Sequence, residues 1–261
     1  MSLIQLPKVT YAITCPPTIL PTPHWNKITF CGESAGTSEV NWWECPKCHA
    51  GQQYPGICKC GNPRQFSPQG FVGSSGNMLR MICQSANIDF EKCNRTNVVK
   101  RKPNGDFSSF YHDPKKRTSP TEELLWWRTL LIAELTRYKP NVVVALGNES
   151  LRALTDKDGI TKWQGSILTS DKIEGLKVIP LVHPAYIMRD NWEEYYISKR
   201  FIKRVSIESK SPLLQLKEPD DVFIIKPTLA EALEWIAHIA TSKALWYLDV
   251  ETRGDCLTCF G

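Results

Sequence analysis

The sequence predicts an α/β protein built on a central, mostly parallel sheet with helices on both sides. Three observations carry this. The apolar runs KITFC (27–31), NVVVALG (141–147) and LKVIPLV (176–182) read as strands, the latter two near-continuous as in strands covered on both faces. The segments between them repeat apolar residues at helical spacing. Polar residues of catalytic type follow two of the strands directly, Glu33 after the first and His183 after the last, where open α/β sheets place ligands.

Taken in order, KITFC leads into the small-residue turn GESAGTSEV, with Glu33 near its start and Glu39 six residues on. Alone, that turn reads equally as a strand end with a solvated Glu. SSGNMLRMICQSA (74–86) follows as a helix through Met78, Ile82 and Ala86. SPTEELLWWRTLLIAELTRY (119–138) is the clearest helix: Ser119 as cap, Pro120 in the first turn and Glu122 closing a capping box. Leu124, Trp127, Leu131, Leu135 and Tyr138 mark its buried stripe. The strand 141–147 ends in Gly147, a further helix starts at 150–154, and the strand 176–182 runs straight into HPAYIMR (183–189). Lys199, Arg200, Lys203 and Arg204 fall on a helix after Trp192, and Lys115, Lys116 and Arg117 in a polar loop. Such charge runs are either solvated faces or phosphate contacts.

The 261 residues suffice for one large domain, or a medium domain and part of another, and the 42% apolar content can build a core. A net charge of +5 favours polyanions only mildly. No apolar run approaches the ~18 residues of a membrane span, and the N-terminus lacks a secretory pattern. The chain therefore reads as soluble, intracellular and cytoplasmic, with no membrane partner. Of its ten cysteines, Cys45, Cys48, Cys58 and Cys60 form a C-x2-C-x9-C-x-C array. Two such knuckles can converge on one tetrahedral ion, so a structural Zn2+ site is expected, with iron–sulfur ligation or free thiols as alternatives. Cys31 and Cys83 read as core residues.

Five ordered motifs give a resemblance. GESAGTSE resembles GEAPG-x-x-E, GFVGSSGNML resembles PFVG-x-aG-x-lL, NVVKRKP resembles NVVKCRP, PNVVVALGNESLRAL resembles a Pro-initiated strand–Gly–helix, and HPAYIMR resembles HPSYLLR. These are patterns of the uracil-DNA glycosylase superfamily, family 4 branch, and the resemblance covers roughly residues 24–204. It implies a three-layer α/β/α fold and a base-flipping reaction. Glu33 and His183 would be catalytic, with His183 hydrogen-bonding uracil O2 as negative charge grows there. Phe71 would stack on the base, Asn97 would read it, Glu39 would exclude a C5 methyl, and Gly32 would line the uracil site. DNA contacts would come from Gly36, Ser74, Ser75, Lys100, Lys115 and Arg189. Related enzymes hold an iron–sulfur cluster on four cysteines. Here Arg101 and Trp127 stand at the third and fourth positions, and only Cys15 is available near the start. No cluster is therefore expected. Ala35 replaces the usual Pro, which is expected to loosen the turn that positions Glu33.

Organisation follows from the same reading: a glycosylase-like domain over 1–205 with a zinc-knuckle insert at 43–62, a linker over 206–220, and a further piece over 221–261. In that piece VFIIKP, LAEALEWIAHIA and ALWYLDVETRG resemble the opening of the 3′–5′ exonuclease domain of family A DNA polymerases. Asp249 and Glu251 stand as its D-x-E pair, an incomplete site that would use Mg2+ only in a complete domain. The expectation is an N-terminal part of a polymerase polypeptide acting on uracil-containing DNA. The alternative is a catalytically weak uracil- or DNA-binding module that positions the polymerase on template.

Overall fold

The computed structural model describes residues 14–20, 23–212 and 228–242, with the backbone alone at 250–253 and 256–260. The chain divides into two compact units, Met1–Leu216 and Lys217–Gly261.

In the first unit the elements run β1 (Ile28–Ser34), α1 (Thr37–Val40), β2 (Trp43–Glu44), β3 (Gly51–Gln52), β4 (Gln65–Phe66), α2 (Gly73–Gln84), β5 (Asn94–Val99) and α3 (Glu122–Tyr138). They continue with β6 (Val142–Leu146), α4 (Asn148–Thr155), α5 (Ile160–Trp163), β7 (Leu168–Thr169), β8 (Lys177–Leu181), α6 (Pro184–Ile187) and α7 (Glu193–Glu208). The main sheet has the order β5-β1-β6-β8-β7. Its first four strands are parallel, and β7 adds antiparallel to β8. Period-two alternation of the buried strands divides the core. Ile28, Phe30, Val142, Val144 and Leu146 pack on one face with residues of α2, α6 and α7. Val143, Ala145 and Val178 pack on the other with residues of α3 and α4. The result is three layers, as expected.

The order places the site. From β1 the chain moves to β5 on one side, then crosses to β6 on the other, so the connections diverge above the C-terminal end of β1. That switch point opens a crevice.

Several local expectations need correction. β1 continues to Ser34, because Ser34 pairs with Val99 of β5, so Glu33 sits on the strand and not in the turn. β5 is a fully buried strand that the polar string NRTN hides. Some of its polar groups are met from outside the sheet: Leu20 N–H donates to Asn94 Oδ1 at 2.9 Å, and Arg95 exchanges backbone bonds with Thr18, whereas Asn94 Nδ2 and Arg95 Nε are buried without a hydrogen-bond partner among the described residues. The cap of α3 is Thr121, whose hydroxyl accepts from Leu124 N–H at 3.3 Å. Ser119 and Pro120 are instead held in extended pairing with the segment at 111–112. α7 runs past residue 205 to Glu208, where Lys177, 1% exposed, donates to the Glu208 and Ser211 carbonyls and pairs with the Glu208 carboxylate at 2.9 Å. The linker expected from 206 therefore begins later.

The second unit contains α8 (Leu229–Thr241), capped by Thr228 with Glu231 in a capping box, and the antiparallel pair β9 (Val250–Arg253) and β10 (Cys256–Phe260). Asp249, the Glu251 side chain and the expected strand VFIIKP lie outside the described residues.

Candidate functional site

Two cavities open over the switch point and share one wall, His183. The smaller, about 230 Å³, is lined by Glu39, Phe71, Ser74, Ser75, Asn97 and His183. The larger, about 390 Å³, is lined by Glu33, Gly147, Asn148, Tyr186 and Arg189 together with His183. The structure thus brings together Glu33, Gly36, Glu39, Phe71, Ser74, Ser75, Asn97, His183 and Arg189 from segments far apart in the chain.

The smaller cavity depends on one missing side chain. Gly32 faces Asn97 across the β1–β5 pairing, and a Cβ there would collide with the Asn97 amide oxygen and crowd the Phe71 ring. Glu39 then ties the parts together. Its carboxylate accepts from Gly36 N–H at 2.7 Å and from the Phe71 amide, and hydrogen-bonds the Asn97 side chain. Burial raises its pKa above the usual carboxylate range against those hydrogen bonds. Phe71 sits at φ +61°, a left-handed conformation costly for a bulky residue and held by these surroundings. Ser74 and Ser75 occupy the first turn of α2, whose N-cap, Val72, offers no side-chain cap, so backbone N–H groups there are free for an acceptor.

Glu33 defines the larger cavity. Burial pushes its pKa up, opposed by the Glu149 N–H at 3.4 Å and by the charges of Arg117 and Arg152. Gly147, at φ +95°, is required at the end of β6, since a Cβ there would meet the Glu33 carboxylate. Behind it Glu149 is completely buried and is met by Tyr111, Arg117, Arg128 and Arg152. The sequence reading missed this cluster; ALGNESLRAL placed Glu149 and Arg152 one helical turn apart, but nothing local showed that Tyr111 and Arg117 close on them. Arg117 ties down the loop that carries Lys115, which is exposed.

His183 is the N-cap of α6 and accepts at Nδ1 from Ala185 N–H at 3.2 Å. Burial, helped by the Arg189 charge, brings its pKa down to about 4. The ring is therefore neutral at physiological pH, with Nε2 carrying the proton.

Two expectations are overturned. Lys100 does not face a phosphate path: it is 7% exposed, donating to Thr96 Oγ1 at 2.7 Å and Asn97 O at 2.6 Å and pairing with Glu134 at 3.1 Å. Its charge is already compensated inside the fold. Ala35 does not loosen the turn, since its N–H donates to Val99 O at 3.2 Å, a bond that proline cannot make.

The cysteine array lies next to the Glu39 turn. β2, β3 and β4 form a small antiparallel sheet in the order β3-β2-β4, so the insert extends beyond residue 62 to Phe66. Cys45, Cys48, Cys58 and Cys60 present their sulfurs within 4.8 Å of one another. The closest approaches, 3.4–3.6 Å, are far longer than a disulfide bond and near the ~3.8 Å edge of a tetrahedron with ~2.3 Å metal–sulfur bonds. Hydrogen bonds from Asn62 bring the Cys60 thiol down to about 6, while hydrogen bonds with Cys58, Cys45 and Cys60 push the Cys48 thiol up to about 12, so the four thiols share protons among themselves when no ion lies between them. The four residues fit a metal ion. The sheet meets the cavity wall through Gln53 to Ser38 Oγ at 2.8 Å and through Gln69, whose side chain donates to Glu44 at 2.7 Å and whose N–H donates to Glu39 O at 3.2 Å. Arg101 and Trp127 both meet Glu123: the guanidinium at 2.7 Å to each oxygen, the indole at 3.1 Å.

The state of His183 has a measurable consequence. Its folded pKa lies near 4 and that of an unfolded histidine near ~6.5. Between these the unfolded chain binds more protons, so stability rises with pH through this window. Denaturant unfolding across it should show stability falling on acidification, and His183→Asn should reduce that fall. An identical pH dependence in the variant would show that His183 is not held neutral.

The comparisons with known proteins agree with this geometry. The family model described as the uracil DNA glycosylase superfamily matches residues 58–205. A type-4 uracil-DNA glycosylase of Thermotoga maritima is 34% identical over 126 residues, 48% of this chain and 59% of that protein. A DNA polymerase of Bacillus phage SP01 is 27% identical over 143 residues, 54% of this chain and 14% of the polymerase. The chain thus spans less than two thirds of either relative. The matched region contains Phe71, Asn97, Gly147 and His183, which the fold gathers with Glu33 around the switch point, and the chain belongs to the uracil DNA glycosylase superfamily.

Proposed function

We propose that this chain hydrolyses the N-glycosidic bond of uracil in DNA after the nucleotide is flipped into the paired cavities. The observation that carries this is the neutral His183 on the wall common to both, a fixed donor between a base-sized cavity and a carboxylate. In this reading the smaller cavity takes the base. It lies below the size of drug-ligand sites, Phe71 supplies an aromatic face, and the Asn97 amide can donate to uracil O4 and accept from N3–H, a pattern that cytosine reverses. Glu39 holds Phe71 and Asn97 in place and closes the wall against a C5 methyl. As the bond breaks, negative charge grows on uracil O2 and positive charge on the sugar. His183 Nε2–H meets the first, worth ~3 kcal/mol if it acts as an oxyanion-hole donor does. Glu33 meets the second, and its raised pKa makes it a better proton acceptor for the attacking water. The backbone amides of Gly36, Ser74 and Ser75, with Arg189 and the exposed Lys115, would hold flanking phosphates.

The metal is proposed to be a structural Zn2+, since four cysteines close its coordination sphere and leave no position for substrate. An iron–sulfur cluster of the family 4 type does not fit, because Arg101 and Trp127 stand at two of its ligand positions and both are engaged with Glu123. The phage polymerase relative supports placing this domain within a polymerase polypeptide. Asp249 and Glu251 are proposed on sequence as the first carboxylates of its Mg2+-dependent exonuclease, with the domain division placed between the end of α7 at Glu208 and residue 221.

Purified protein should leave alkali-labile sites at uracil in oligonucleotides with no metal added to the reaction. His183→Ala should slow single turnover ~10²-fold with little loss of DNA binding, whereas Asn97→Asp should lose uracil recognition itself. Binding to uracil DNA with no product at enzyme excess would identify a recognition module instead. Elemental analysis should find about one zinc per chain, lost in Cys45→Ser/Cys48→Ser. Iron that disappears in the same variant would overturn the zinc assignment.

A further inference from the structure

We infer that the exposed face of α7 is a track for single-stranded DNA leading away from the flipped-nucleotide site. The inference rests on the reading of that site given above. Trp192, at the N-cap of α7, and Tyr196, Lys199 and Lys203 within it lie at intervals of four, three and four residues, which places them in one row along the helix. The opposite row, Ser198, Ile202 and Val205, is buried. Trp192 is 55% exposed and Tyr196 70%, so two large aromatic side chains face solvent on a helix whose other side already supplies the core contacts.

The row begins where the larger cavity ends. Tyr186 and Arg189 line that cavity, Tyr186 is itself exposed, and Trp192 follows three residues after Arg189. From Trp192 to Lys203 the helix rises about 16 Å. Charge complementarity points to a polyanion. Among the described residues, Lys199, Arg200, Lys203 and Lys210 have no carboxylate at ion-pair distance, whereas Lys177 takes Glu208 and Gln164 takes Glu194. Glu193 and Asp190 remain exposed beside Trp192; the basic groups lie further along the row. Lys199 lies over the Tyr195 ring at 5.2 Å, and exposed aromatic faces followed along one helix by cations without a carboxylate partner are what unstacked bases and their phosphates require. A duplex would use the cations and leave the rings idle, because its bases are already stacked.

The test uses the 261-residue chain and uracil-free probes, so its outcome does not depend on glycosylase activity: a fluorescent oligothymidylate of about 20 nucleotides and a duplex of the same length. Trp192→Ala/Tyr196→Ala should weaken single-strand binding ~10-fold or more and leave duplex binding within about twofold. Lys199→Gln/Lys203→Gln should weaken single-strand binding and lower the slope of log Kd against log salt by ~1–2. Unchanged single-strand affinity in the aromatic variant, or equal losses on both probes, would overturn the inference; unchanged affinity would point to a protein partner for this face. Loss of uracil release without loss of oligothymidylate binding would count against the glycosylase reading alone.

Discussion

The Glu39 carboxylate meets the amides of Gly36 and Phe71 and the Asn97 side chain at once, and the base-sized cavity has no shape without it. Gly36 belongs to the turn after β1, Phe71 to the loop before α2, and Asn97 to β5. Each would be free to move on its own element. A buried carboxylate is costly unless its oxygens are satisfied, so the contacts that relieve Glu39 also force three segments into one register. The cysteine-bearing sheet acts on the same point from outside through Gln69 and Ser38. A metal among its cysteines would stiffen the turn that holds Glu39.

Glu33 solves a different problem. Under the proposed reaction it would have to remain ionisable in a pocket that burial makes hostile to charge. A direct partner would neutralise it and reduce its basicity. The fold instead places the arginines one layer back, around Glu149, and lets the Glu149 backbone N–H touch Glu33. The charges of Arg117 and Arg152 reach Glu33 at longer range and oppose the charge of Glu149, which raises the Glu33 pKa. Asp158 takes part of the Arg152 charge at 2.6 Å.

The strand ends were legible in the sequence because apolar runs break where the chain leaves the core, and that alone located Glu33 and His183. β5 was not legible: Asn94, Arg95, Thr96 and Asn97 are buried polar residues, and although Glu91 and Lys100 meet Arg95 and Thr96 from four residues away, the groups that hydrogen-bond the side chains of Asn94 and Asn97 come from Leu20 in the N-terminal segment and Glu39 in α1, beyond any local window. Lys100 was misread for the same reason, since a lysine in a basic run looks solvated until Glu134, on a distant helix, is seen to meet it. Thr121 displaced Ser119 as cap because residues 119–120 pair with the segment at 111–112, a tertiary contact that overrides an acceptable local signal. The role of Ala35 could be judged only once Val99 was placed opposite it.

The loop that leaves β5 is held by contacts unlike those that the family 4 pattern implies. In the pattern the sequence resembles, a cysteine just after the Asn97 motif and another in the following helix share a cluster. Here Arg101 and Trp127 stand at those positions, and both meet Glu123. Arg101 also stacks on Phe110 at 4.6 Å and pairs with Thr14, while Cys15 N–H donates to Lys100 O. The same three segments are joined, by polar contacts in place of metal ligation. Partly buried ion pairs add little net stability after desolvation, but they penalise every arrangement in which one partner is left alone. Residues after Asn97 therefore gain a fixed position more than a stronger one, and under the proposed reading that position is what would let Asn97 tell uracil from cytosine.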